Sequence, residues 1–258
     1  MKYIPLVLAV GVGLCMLPFQ QRYREEEIQN LLLQYQPTIH QSSQQYQIDP
    51  QLIASLIYVN HSTYISPSRY HLENVIMNLW LRDPKSHYGL SESLNISIGL
   101  AQIKPVTAIT AIMIPCWNTE EQHCYDKLAR DVPVTVRDHW ILTPPITTIS
   151  PMSFGALSKQ KLITELLTPE KNIEYCAYIL SLYALQWETG HPEWSIRNRP
   201  DILATLYQIG FERSHPKAQP RANTFGNRVQ QVYDAEWMRQ HFSKERMAYS
   251  VTIGNSVE

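Results

Sequence analysis

The residues whose types and spacing suit chemistry gather around one short apolar segment, Ser97-Ile98-Gly99-Leu100-Ala101-Gln102-Ile103-Lys104-Pro105-Val106-Thr107-Ala108. Gln102 carries donors and an acceptor in one side chain, which suits reading the amide and hydroxyl groups of a sugar. A Gly precedes the run and Pro105 restarts the chain where a helix tolerates it, so the segment also reads as an ordinary junction between two helices. Upstream, Asp49-Pro50 is a helix cap followed by Pro at the first helical position. Ile53, Ile57 and Asn60 then share one face at three- and four-residue spacing. Asn60 ends that buried stripe, where a side chain could face a cleft or simply close the helix terminus. Glu92, in the polar loop 85–95, is the acid nearest the central segment in sequence, and Glu73 precedes it on a helical stretch.

Taken in order, these segments resemble the lytic transglycosylase branch of the lysozyme-like proteins. Gly99-Leu100-Ala101-Gln102-Ile103-Lys104-Pro105-Val106-Thr107-Ala108 is similar to that family's Gly-Leu-Met-Gln-Ile-x-Pro-x-Thr-Ala segment. Leu167-Thr168-Pro169-Glu170-Lys171-Asn172-Ile173 is similar to its Pro-Glu-x-Asn-Ile helix start. Ala204-Thr205-Leu206-Tyr207-Gln208-Ile209-Gly210 is similar to its Ala-Ala-Tyr-Asn-x-Gly helix end, with Gln208 in place of Asn. Asp49 to Val59 is similar to the helix that ends in the catalytic Glu-Ser. Here the Glu position holds Asn60, followed by His61 and Ser62.

The resemblance implies a mainly α, lysozyme-like helical domain acting on peptidoglycan glycan strands, with no cofactor; the lack of any Cys-x-x-Cys or His-Glu-x-x-His and the scatter of the nine His argue against a metal. It places the catalytic position at Asn60 and substrate contacts at Ser97, Gln102, Tyr207 and Gln208. In the family, a Glu protonates the oxygen between N-acetylmuramic acid and N-acetylglucosamine, and the muramic C6 hydroxyl attacks to give an anhydro end. An Asn amide has no proton to give at any relevant pH. Two readings follow. One is a transglycosylase-like protein whose acid lies elsewhere, Glu92 first and Glu73 second. The other is a non-catalytic module that holds glycan or organises an envelope assembly with partner proteins. A third reading leaves the motifs to packing alone.

At 258 residues and 44% apolar content, the chain can bury one sizeable core. A net charge of −1 and the lack of a Lys/Arg run argue against a nucleic-acid partner and favour a neutral, polar glycan over a polyanion. Lys2 precedes an apolar stretch from Tyr3 to Phe19, so residues 1–23 fit a secretory signal or an uncleaved membrane anchor, and either implies export to the cell envelope. Cys15 invites a lipoprotein reading, against which stands the bulky Leu14. Cys116 and Cys124 bracket a short polar loop that an exported protein could close with a disulfide, for a gain of about 2–3 kcal/mol. Cys176 sits in an apolar helical pattern as a buried thiol.

The periodicity predicts a packing helix over 24–46, a second from Pro50 to about Ser62, and a third near 69–82 carried by Leu72, Val75, Ile76, Leu79 and Trp80. Further helices are predicted from Pro105 to about Met113, over 158–167, from Pro169 as the longest, from Pro200 to a Gly210 cap, and from Asn223 to about Phe242. Residues 114–155 hold five Pro and read as a loop-rich insertion, in which Trp117 and Trp140 either pin the loop or stack on sugar. One domain therefore spans 24–242, and 243–258 forms a polar tail.

Overall fold

Asp49 accepts a hydrogen bond from the backbone N–H of Gln51 at 2.9 Å, and Pro50 fills the first helical position. The chain thereby starts the helix that anchors the fold. The computed structural model describes residues 23–82, 96–119, 159–191, 193 and 195–243. Glu92, Cys15, Cys124, Trp140, the N-terminal apolar segment and the tail beyond Ser243 lie outside the described residues.

Among the described residues the protein is mainly helical and has no β-strand; Ile98 and Ile103 form an isolated antiparallel bridge. The α-helices are α1 (Glu25–Gln34), α2 (Gln36–Tyr46), α3 (Pro50–Val59), α4 (Pro67–Arg82) and α5 (Pro105–Thr119). Then follow α6 (Lys159–Leu167), α7 (Pro169–Gly190), α8 (Pro200–Ile209), α9 (Thr224–Tyr233) and α10 (Glu236–Phe242). A π-helical turn, Asn60–Tyr64, continues α3, and a 3-10 turn, Phe211–Arg213, follows α8. None of the described helices is long and apolar enough to cross a membrane.

Two helices organise the rest. In α3 every residue but Tyr58 is buried, and it packs against α1, α2, α9 and α10. In α7 the stretch from Asn172 to Trp187 is buried apart from Glu174 and Leu185, and it packs against α2, α5, α6 and α8. A helix apolar all round belongs at the centre of a domain. Cys176 is fully buried there, and burial pushes its thiol up to about 12, so it behaves as a small apolar side chain.

Several boundaries differ from the sequence expectation. Residues 24–46 form two helices, because Pro37 cannot continue α1 and sits in the first turn of α2, with Tyr35 at the break. The polar stretch 41–45 stays helical and packs on one face: Ser42 and Ser43 are buried, and the Ser43 hydroxyl donates to the Ile48 carbonyl at 2.5 Å. Helix α4 buries Glu73 and Met77 and leaves Val75 and Ile76 exposed, so its packed face is not the one its aliphatic residues suggested. Helix α5 runs to Thr119, through Pro115. Met113 and Ile114 are still buried, and that packing offsets a Pro cost of about 3 kcal/mol. The last helix is broken between Tyr233 and Glu236, which lets Met238 and Phe242 return to the core.

Candidate functional site

The central segment is a tight hairpin. Ile98 and Ile103 exchange backbone hydrogen bonds of 2.9 and 3.0 Å, and the Gln102 N–H donates to the Gly99 carbonyl at 3.2 Å. Two residues turn the chain in the left-handed region, Gly99 at φ 74° and Gln102 at φ 58°. A side chain at Gly99 would collide with the Asn172 amide, so Gly is required twice over, by backbone and by space.

Asn172, fully buried near the start of α7, fastens this hairpin to the core. Its Oδ1 accepts from the Ala101 N–H at 2.7 Å. Its Nδ2 donates to the carbonyls of Ile98 and Leu166, each at 2.9 Å. One amide thereby matches the Ala101 N–H and the Leu166 carbonyl and adds a second donor to the Ile98 carbonyl, which already accepts from Ile103. The Pro-Glu-x-Asn-Ile resemblance included this residue but assigned it no role.

The Ala101 carbonyl faces the other way and takes two donors. Asn60, the first residue of the π turn and 8% exposed, donates its Nδ2 at 3.2 Å. Tyr207, in the last turn of α8, donates its hydroxyl at 2.9 Å. Burial, with the Cys176 thiol beside it, holds the Tyr207 hydroxyl pKa well above the ordinary phenol value, so it remains a donor although the residue as a whole is only partly buried. His61 Nε2 bonds the Leu100 carbonyl at 3.0 Å and must therefore carry the proton, leaving Nδ1 buried with no partner. Desolvation pushes this imidazole down to about 4, so it is neutral at pH 7.

A cavity of about 640 Å³ opens over this arrangement. Asn60, Ser97, Gln102, Tyr207 and Gln208 all line it, so the described residues expected at the catalytic position and at substrate contacts converge on one site. Apolar and aromatic walls come from Ile65, Val106, Phe211 and Phe225, with Tyr64 against the Phe225 ring at 5.7 Å between centroids. Gln208 is oriented by Asn223, whose Nδ2 donates to its Oε1 at 2.7 Å. Gly210 ends α8 with its N–H on the Leu206 carbonyl at 3.0 Å, and the cavity wall continues through Phe211 and Glu212.

The chain matches no protein-family model, no curated protein and no solved structure.

The carboxylates divide clearly. Glu73 is buried, accepts from Arg69 Nε at 2.8 Å and from Gln102 Nε2 at 3.3 Å, and does not line the cavity. Both its oxygens are engaged in holding Gln102 and Arg69, which removes it as a second candidate acid. Glu212 is the carboxylate that lines the cavity among the described residues, and it is exposed on the 3-10 turn. Sequence reasoning missed it, together with Arg69 and Lys104 on the same wall. Only the short step from Gly210 to Glu212 could have signalled it. No group of three His, Cys, Asp or Glu that could hold a metal ion exists among the described residues.

Proposed function

We propose that this chain is a lysozyme-like domain of the lytic transglycosylase type that holds a peptidoglycan glycan strand without cutting it. The observation that carries the reading is the convergence of Asn60, Ser97, Gln102, Tyr207 and Gln208, which are far apart in sequence, on one cavity. Amides beside aromatic walls suit a sugar ring bearing acetamido and hydroxyl groups, where a few convergent polar groups set orientation. Asn60 can hydrogen-bond the bridging oxygen of such a strand but cannot protonate it. Losing a general acid removes about two to four powers of ten in rate.

The same geometry supports a restored acid. A carboxyl at position 60 would meet the Ala101 carbonyl, which only accepts. That neighbour disfavours a carboxylate and favours the protonated form, raising the pKa as a general acid requires.

The test is turnover of purified peptidoglycan by the full 258-residue chain beside Asn60→Glu and Glu92→Gln variants. The expected result is that wild type pulls down with peptidoglycan and releases no anhydro-muropeptides, while Asn60→Glu releases them. Release by wild type that Glu92→Gln abolishes would make the protein an enzyme with a displaced acid. Absence of peptidoglycan binding by any variant would leave the motifs to packing alone.

A further inference from the structure

Between Arg213 and Tyr233 the chain carries Arg213, Lys217, Arg221 and Arg228 and not one Asp or Glu. All four cations are exposed. Nearby, Glu188 pairs with Arg197, Asp201 with Arg199 and Glu193 with His191, while the stretch is bounded by Glu212 at one end and at the other by Asp234, which accepts from Gln230 Nε2 at 2.9 Å. None of the four cations has a carboxylate partner among the described residues.

The stretch hangs from the cleft. The chain leaves the cavity wall at Glu212 and rejoins it at Phe225. Its near end is pinned by buried Ser214, whose carbonyl accepts from Gln186 Nε2 at 3.1 Å and whose hydroxyl donates to Gln186 Oε1 at 2.7 Å. Its far end is pinned by Asn223, whose N–H donates to Thr205 Oγ1 at 3.0 Å. Lys104, exposed and also on the cavity wall, adds a cation from the start of α5.

We infer that this stretch is a cationic lip, and that the ligand of the cleft is an anionic glycan. Its sugar rings occupy the cavity while carboxylate or phosphate substituents run along Arg213, Lys217, Arg221 and Arg228. This rests on the glycan-binding reading above and replaces its neutral ligand with a charged one. The whole-chain charge of −1 hides the lip because acids elsewhere in the sequence balance it. The lip has no exposed Trp, Tyr or Phe on which bases could stack, which disfavours a single-stranded nucleic acid. It also has no exposed large apolar side chain to enter a bilayer.

Exposed ion pairs each contribute roughly two- to fivefold in affinity at best, so four together should be readily measured. Calorimetric titration of the full chain would use a neutral N-acetylglucosamine hexamer and purified wall glycan strands. It would also use the same strands after carboxyl amidation, and after removal of phosphodiester polymer by hydrofluoric acid. The comparison protein carries Arg213→Gln, Lys217→Gln, Arg221→Gln and Arg228→Gln together. At about 0.1 M salt, wild type should prefer the untreated strands at least about tenfold over one of the two neutralised forms, and which form loses affinity names the anion. That preference should vanish near 1 M salt, where the Debye length is about 3 Å. It should also vanish in the quadruple variant, which should bind the hexamer as wild type does. Equal affinity for untreated and neutralised strands would overturn the lip and leave the glycan reading standing. Stronger binding to duplex DNA or to phosphatidylglycerol vesicles than to untreated strands, lost in the variant, would assign the lip to another partner. Failure of wild type to bind the hexamer would instead sink the glycan reading itself.

Discussion

His61 stands in the structure fully buried, between the Tyr23 and Tyr70 rings at 5.2 and 5.6 Å, with one nitrogen on Leu100 and the other unpartnered. Its imidazole titrates near 4 in the fold, against about 6.5 in an unfolded chain. Between those values the unfolded state binds the proton and the folded state does not. Stability is therefore whole above pH 6.5, falls as pH drops through that window, and levels off below about 4, for a loss of roughly 3 kcal/mol. His40 is lowered by burial as well and adds in the same direction. The check is urea unfolding at pH 7 and pH 4.5 for wild type and His61→Gln. The variant should show a clearly smaller drop between the two pH values. An equal drop in both proteins would mean His61 is not the group that titrates. Nothing in the sequence flagged this residue, because a His after the stripe-ending Asn looks the same whether buried or solvated.

At the scale of elements, the clearest sequence signals were those with a local backbone cause. Asp49-Pro50, Thr168-Pro169 and Pro200-Asp201 each open a helix where the residues say one should open. Pro37 is an equally local signal, and it opens α2 where the apolar spacing over 24–46 predicts one unbroken helix. The π turn at Asn60–Tyr64 had no such signal, and neither did the break before Glu236; both follow from what the neighbouring helices leave room for. Gly226 shows the same limit. A Cβ there would strike the Asp201 carbonyl of α8, a close approach between helices that no spacing within α9 reveals. Asn172 makes the strongest element-level prediction. Asn172→Ala would leave the Ala101 N–H and the Leu166 carbonyl unmatched and remove one of the two donors to the Ile98 carbonyl. The expected cost is about 3–5 kcal/mol, read as a lowered urea midpoint. A loss below about 1 kcal/mol would show that the hairpin does not depend on this amide.

Across the whole molecule, the cleft was legible as a set of residues but not as a set of contacts. Asn60, Gln102 and Tyr207, far apart in sequence, all line one cavity. That Asn60 and Tyr207 share the Ala101 carbonyl could not be read, since a backbone oxygen leaves no trace in a sequence. The cationic lip was present in the letters and lost in the average, because net charge sums over residues whose neighbourhoods differ. Glu73 failed as a candidate acid for a related reason. Position in sequence does not tell whether a carboxylate faces a cavity or an arginine on its own helix.

The shared carbonyl and the Asn172 amide bear on motion as well as on shape. A short hairpin outside any sheet ordinarily opens on its own, and its amides exchange with solvent long before the domain unfolds. Here the Ala101 peptide is gripped on both sides, its N–H by α7 and its oxygen by the π turn and α8. It cannot open unless three separate parts of the chain let go together. The Ala101 amide should therefore exchange deuterium as slowly as the centre of α7, only through global unfolding, and should slow in step with it as the protein is stabilised. Fast, denaturant-independent exchange at Ala101 would reveal a hairpin that breathes alone. A floor that opens only with the whole molecule means that the cleft holds its shape before any ligand arrives.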